Sequence, residues 1–215
     1  MRKTFLAITL FLAFSKAALA QFGNCTASEM RTYVDSATGN TITMLTDTMK
    51  NDRFLYQTDP MWTADGKYLL FRSSSRGNDK EVESTLPNGE KRKWTPTQIY
   101  FIEMATGKII QATEGPNLGS AFLANKTNRM FVSRKEKENW NMYVMDLNKF
   151  FADVKQGKVG KPSAYETFIG TFPTEMGRPG GYAVDCNDDY AYITVEREGT
   201  EEEKERMMKN AFLPE

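Results

Sequence analysis

The chain has 215 residues, and 28 lysines and arginines balance 28 aspartates and glutamates. Zero net charge removes any global case for nucleic acid or an anionic membrane surface as partner. Histidine is absent, which takes away the commonest general base and the commonest metal ligand, so any chemistry here falls to Lys, Arg, Tyr, Asp or Glu.

The chain opens with basic Met1-Arg2-Lys3, an apolar run from Thr4 to Phe14, and the small residues Ala18-Leu19-Ala20. That order predicts a Sec-type signal peptide over residues 1–20, cut before Gln21, and a periplasmic or extracellular protein. A membrane anchor is not expected, because the apolar run is too short for ~30 Å of hydrocarbon and Lys16 interrupts it. Two cysteines follow, Cys25 and Cys186. In an oxidising compartment they either bridge the N-terminus to a late strand or stay as two small apolar side chains. Asn24-Cys25-Thr26 and Asn125-Lys126-Thr127 match the glycosylation acceptor pattern, which is common by chance.

Residues 21–215 read as short strands separated by turns. A hairpin is predicted over 31–46, turned by Ala37-Thr38-Gly39. The segment 59–113 has two halves: strand, turn at Ala64-Asp65-Gly66-Lys67, strand Tyr68 to Phe71; then strand from Gln98, turn at Ala105-Thr106-Gly107-Lys108, strand to Thr113. The same two-part phrase recurs over 119–168, and its opening half recurs over 182–196. Trp62, Phe122 and Tyr182 fall 60 residues apart. Four antiparallel strands per repeat make a β-propeller blade. A β-sandwich or barrel would offer strands of the same length, but the repetition favours the propeller. Propellers close with about 4–8 blades, so an incomplete ring is expected, the hairpin at 31–46 lacking its partner strands. Either the sequence is part of a longer protein, or its open sheet edges are covered by a partner. The charged stretch 199–210 is predicted to be a helical excursion.

Two insertions interrupt the repeat. Ser74 to Thr97 carries Arg76, Lys80, Lys91, Arg92, Lys93 and Trp94, and Phe168 to Gly181 carries Arg178. In a propeller these loops reach the face around the channel mouth, with Gln57 and Arg72. The charges are either solvated loop residues or a cationic, aromatic-flanked mouth for an acidic sugar or a peptide carboxylate.

Asp65-Gly66-Lys67-Tyr68-Leu69-Leu70-Phe71, with the Ala105 to Lys108 hairpin, resembles TolB-type propeller repeats, which are WD40-like in form. The ordered set Ser36 to Thr46, Phe54-Leu55-Tyr56-Gln57, Trp62 to Phe71 and Gln111 to Gly115 is similar to the start of oligogalacturonate lyases over about residues 31–195. That resemblance implies part of a seven-bladed propeller that splits pectin oligomers by β-elimination. A base removes the proton beside a uronate carboxylate while a metal or Arg neutralises that carboxylate. It also implies a divalent, manganese-type metal in the complete family member, held by His and Gln of later blades that have no counterpart here. Asn51-Asp52-Arg53 departs from the His-Arg that the family tends to carry before Tyr-Gln. The residues expected to meet an acidic ligand are Tyr56, Gln57, Arg72, Arg76 and Arg178; none is assigned as catalytic. Besides a secreted lyase, the pattern suits a non-catalytic scaffold that binds protein or acidic glycan. It also suits the propeller of a prolyl-type exopeptidase, which would need a Gly-x-Ser-x-Gly elbow elsewhere.

Overall fold

The computed structural model describes residues 22–77, 80–85, 89–172 and 178–196, with only the backbone at positions 178, 179, 195 and 196. The segment 1–20, expected to be a signal peptide, and the charged stretch at 199–210, expected to be helical, lie outside the described residues. The described chain is all-β, with one α-helix.

The first blade is a five-stranded antiparallel sheet. It contains β1 (Cys25–Thr26), β4 (Asp52–Arg53), β5 (Tyr68–Ser73), β8 (Gln98–Glu103) and β9 (Ile109–Gln111), in the order β1-β9-β8-β5-β4. Before it stands a separate hairpin, β2 (Arg31–Val34) with β3 (Thr41–Met44). A second hairpin, β6 (Val82–Thr85) with β7 (Lys91–Trp94), rises between β5 and β8. The second blade comprises β10 (Leu118–Leu123), β11 (Arg129–Glu136), β12 (Asn139–Asp146) and β13 (Glu166–Phe172), paired in that order. A hairpin of β14 (Arg178–Val184) and β15 (Ala191–Glu196) follows.

The turns repeat one chemical device. At the β2–β3 turn, Gly39 takes a positive φ of 72° and Thr38 donates its hydroxyl to Asp35 at 2.5 Å. At the β8–β9 turn, Gly107 has φ 70° and Thr106 donates to Glu103 at 2.6 Å. Gly107 also permits close approach, since a Cβ there would sit 2.0 Å from Ser28 Oγ.

Strands β5 and β8 are buried almost end to end, because both blade faces are covered. Tyr68, Leu70, Ile99, Phe101 and Ile110 join Leu123, Met130, Val132 and Met145 of the second blade in one core. The opposite face, with Phe71, Tyr100, Ile102 and Ile109, meets Leu45 and Met104. The far face of the second blade, through Phe122, Phe131 and Met142, packs on Tyr182, Val184 and Ile193 of the last hairpin. Sheets thus stack face to face in chain order, as propeller blades do.

The stacking corrects the repeat length. Turns close through Thr63 N to Tyr68 O, Ala124 N to Arg129 O, and Asp185 N to Tyr190 O, so Tyr68, Arg129 and Tyr190 mark a step of 61 residues. Trp62 therefore sits one position out of register with Phe122 and two with Tyr182, and the one-residue slip turns Phe122 to the other face. Trp62 is 47% exposed, whereas Phe122 is 3% exposed and stacks on Tyr182 with centroids 4.9 Å apart.

The helix α1 (Leu147–Gln156) lies between β12 and β13, where the sequence reading expected only strand and turn. Asp146 caps its first turn through Lys149 N at 3.0 Å, and Gly157 ends it at φ 66°. Leu147, Phe150 and Phe151 are buried in the inter-blade core, and Phe151 stacks on Tyr68 at 3.6 Å. The suggested Cys25–Cys186 bridge is not formed. Both thiols are free and exposed, one on the outermost strand of the first blade and the other in the β14–β15 turn.

Candidate functional site

The innermost strand of the first blade is broken. Asp52 and Arg53 pair with Ser73 and Arg72 of β5, and farther along Met61 accepts Leu70 N at 2.7 Å while Trp62 bridges Leu69. Residues 54–60, between the two paired pieces, loop away from the sheet. Tyr56, Thr58 and Asp59 of this loop line a cleft of about 990 Å³. The opposite wall comes from the start of β10 and from Gly180, Gly181 and Tyr192 of the last hairpin, and Trp94 closes one side. The volume is of the size that holds a small ligand.

Arg53 and Arg72, both exposed and both lining this cleft, are direct cross-strand partners. Like charges directly opposite one another destabilise a sheet. Among the described residues neither has a carboxylate partner, and Asp59 is the single carboxylate on the cleft wall. An anion between the two guanidiniums would relieve the repulsion and accept planar, paired hydrogen bonds. Around them stand exposed aromatic side chains, Tyr56 at 68%, Tyr192 at 59% and Trp94 at 37%, broad surfaces for the apolar face of a ligand.

Arg76 is placed differently from the sequence expectation. Its side chain is 6% exposed, with Nε 2.8 Å from Asp52 Oδ1 and Nη1 2.9 Å from Glu29 Oε1, and Nη2 reaches both carboxylates. Hydrogen bonds from Arg76 hold Glu29 down at about 2 against its burial, and the two acids keep the guanidinium charged. Arg76 is thereby engaged by two carboxylates of the fold itself and does not line the cleft. Strand alternation explains the split: Asp52 turns back to Arg76, and the adjacent Arg53 turns into the cleft.

Tyr56 and Arg72 are brought together at the cleft. Gln57 lies in the exposed turn after Tyr56 and is not on its wall. Arg178 begins β14 opposite Glu196, two residues before the cleft-lining Gly180, and its side chain is not among those described. Arg53 was not singled out from sequence. Its signal was the Asp-Arg pair at an alternating spacing, which identifies a cleft residue only once its partner is known to be Arg72. Among the described residues, no group of three or more His, Cys, Asp or Glu comes together that could hold a metal ion. No described helix is long and apolar enough to cross a membrane.

Antiparallel blades stacked face to face, with a polar cleft where their inner strands meet, define a propeller-like protein. No family model matches the sequence, and no curated protein matches it. Solved structures of the same fold do. One is an oligogalacturonate lyase in complex with manganese, 20% identical with a TM-score of 0.52. Another is an oligogalacturonate lyase from Vibrio parahaemolyticus, 21% identical, also with a TM-score of 0.52. Each match covers 77% of this chain and 35% of the other, so the chain spans about a third of the structures it matches. At this identity the likeness establishes the fold. It falls on the same proteins as the sequence resemblance.

Proposed function

We propose that the chain binds the carboxylates of uronate-type oligosaccharides in the cleft beside the Tyr56 loop, as part of an oligogalacturonate lyase-like propeller. One observation carries this reading: Arg53 and Arg72 face each other across two strands with no acidic partner among the described residues. A sugar carboxylate between them would accept charge-assisted hydrogen bonds, and Tyr56 or Trp94 would cover the ring.

The same contacts are what β-elimination requires of a binding group. Neutralising the carboxylate acidifies the adjacent C–H. A base takes that proton, the new C=C bond forms, and the glycosidic C–O bond breaks with its electrons on the departing oxygen, which is then protonated. The residues described here account for carboxylate binding and neutralisation, and no base is assigned among them. The manganese belongs to the lyase structure that contains it. The residues of this cleft do not fit a divalent cation, having one carboxylate and no imidazole. The basic, apolar and small-residue order over 1–20 supports export to the periplasm or outside the cell.

Calorimetric titration with trigalacturonate tests the reading, with neutral maltotriose as control. Binding of the acidic sugar alone is expected, and Arg72→Gln should weaken it roughly 10- to 100-fold, as loss of a charged hydrogen bond does. Ultraviolet absorbance of an unsaturated product then separates the two classes. Binding with product supports a lyase, binding without product supports a glycan-binding scaffold, and equal affinity for both sugars defeats the proposal.

A further inference from the structure

The β6–β7 hairpin presents two chemically different faces. Its register pairs Val82 with Trp94, Glu83 with Lys93, Ser84 with Arg92, and Thr85 with Lys91. Residues directly opposite project to the same side, and successive residues to opposite sides. One face therefore carries Glu83, Lys91 and Lys93, the other Val82, Ser84, Arg92 and Trp94. On the first face the two lysines share one carboxylate, since Glu83 bonds Lys91 Nζ at 2.8 Å and stands opposite Lys93. On the second, Arg92 faces a neutral serine and has no acidic partner among the described residues. Trp94 on that same face lines the cleft, and Val82 beside it is half-buried. The uncompensated cation thus shares the cleft-facing side, two residues beyond Trp94 and about 6.6 Å farther from the blade at the usual strand rise.

We propose that Arg92, with Trp94, forms a distal anion subsite, so that the cleft selects oligomers with at least two separated carboxylates over single uronates. This rests on the acidic-saccharide reading of the cleft. The inner carboxylate lies between Arg53 and Arg72, a ring covers Trp94, and an outer carboxylate meets Arg92. The hairpin is then a chain-length reader, and its outer lysines take no part.

The test compares galacturonate with trigalacturonate by calorimetry on the 215-residue protein, the Arg92→Gln variant and the Lys93→Gln variant. Arg92 is exposed on a projecting hairpin, and the circular dichroism of both variants should match the wild type. The wild type should prefer the trimer by roughly 10-fold or more, the value of one additional charged hydrogen bond. Arg92→Gln should bring that ratio close to one, and Lys93→Gln should leave it in place. An unchanged ratio in Arg92→Gln overturns the proposal. An equal fall in both variants also overturns it, by indicating diffuse attraction to the hairpin. Equal wild-type affinity for monomer and trimer overturns it while leaving the acidic-saccharide reading standing, whereas binding of neither sugar removes both.

Discussion

At the scale of single residues, two carboxylates carry structure rather than chemistry. Asp188, 7% exposed, accepts hydrogen bonds from the backbone N–H groups of Asn125, Lys126 and Thr127 at 2.7, 2.8 and 2.8 Å, and from Thr127 Oγ1 at 2.9 Å. Although burial opposes it, these donors depress its pKa. Asn125 answers with Nδ2 bonds to the carbonyls of Val184 and Asp185, so the glycosylation-like pattern at that position acts as a clamp between blades. Asp188→Ala should destabilise the chain by about 1–3 kcal/mol in urea unfolding. Asp188→Asn should cost less, because Asn retains an acceptor and tolerates the positive φ of 63°.

Glu29 makes the second case, through pH. Its folded value of about 2 lies below the ordinary 4.5, so the unfolded chain holds this proton more tightly. Its stabilisation is complete above about 4.5 and fades as pH falls toward 2. Melting temperature should drop across that window. Arg76→Gln should destabilise the chain by about 3–5 kcal/mol at neutral pH, the usual cost of breaking a mostly buried ion pair, and should flatten the acid dependence. A variant with an unaltered acid slope would contradict the assignment.

At the scale of elements, α1 shows how much of one feature was present in the sequence and went unread. Leu147, Phe150, Phe151 and Val154 fall at helical spacing between the cap Asp146 and the terminating Gly157. The change from period-two to helical spacing is flanked on both sides by strand repeats of the blade, which mask it in the sequence. Removing the fully buried Phe150 ring should cost about 3–5 kcal/mol as Phe150→Ala. Asp146→Ala should cost about 1 kcal/mol through loss of the cap. Denaturant midpoints of the two variants, measured together, separate core packing from capping. The paired turns were legible for a plainer reason: Gly39 and Gly107 need positive φ, and a Thr hydroxyl reaching an upstream acid is local chemistry.

At the scale of the whole molecule, stability follows stacking. Strands β5, β8 and β11 are largely buried, with β11 lying between two other sheets, whereas β2 is exposed throughout and β3 nearly so. Amide hydrogen exchange should therefore be slowest in β5 and β8 and fastest in the β2–β3 hairpin, because local opening costs least where little apolar area is buried. Comparable protection in the two regions would mean that the hairpin is covered in solution.

Blade architecture, hairpin positions and the cationic character of the insertions are local properties of this chain. Turn glycines, strand propensity and internal repetition depend on near neighbours, so the sequence by itself determined them. Tertiary structure decided which charges are available. Arg53, Arg72 and Arg76 look alike in the sequence, yet strand alternation and register turn Asp52 and Glu29 onto Arg76 and leave Arg53 facing Arg72 in the cleft. Register decided the repeat length too, since one residue of slip sends Trp62 to the other face from Phe122. Partnership between side chains far apart in the sequence exists only after the strands have paired and the sheets have stacked.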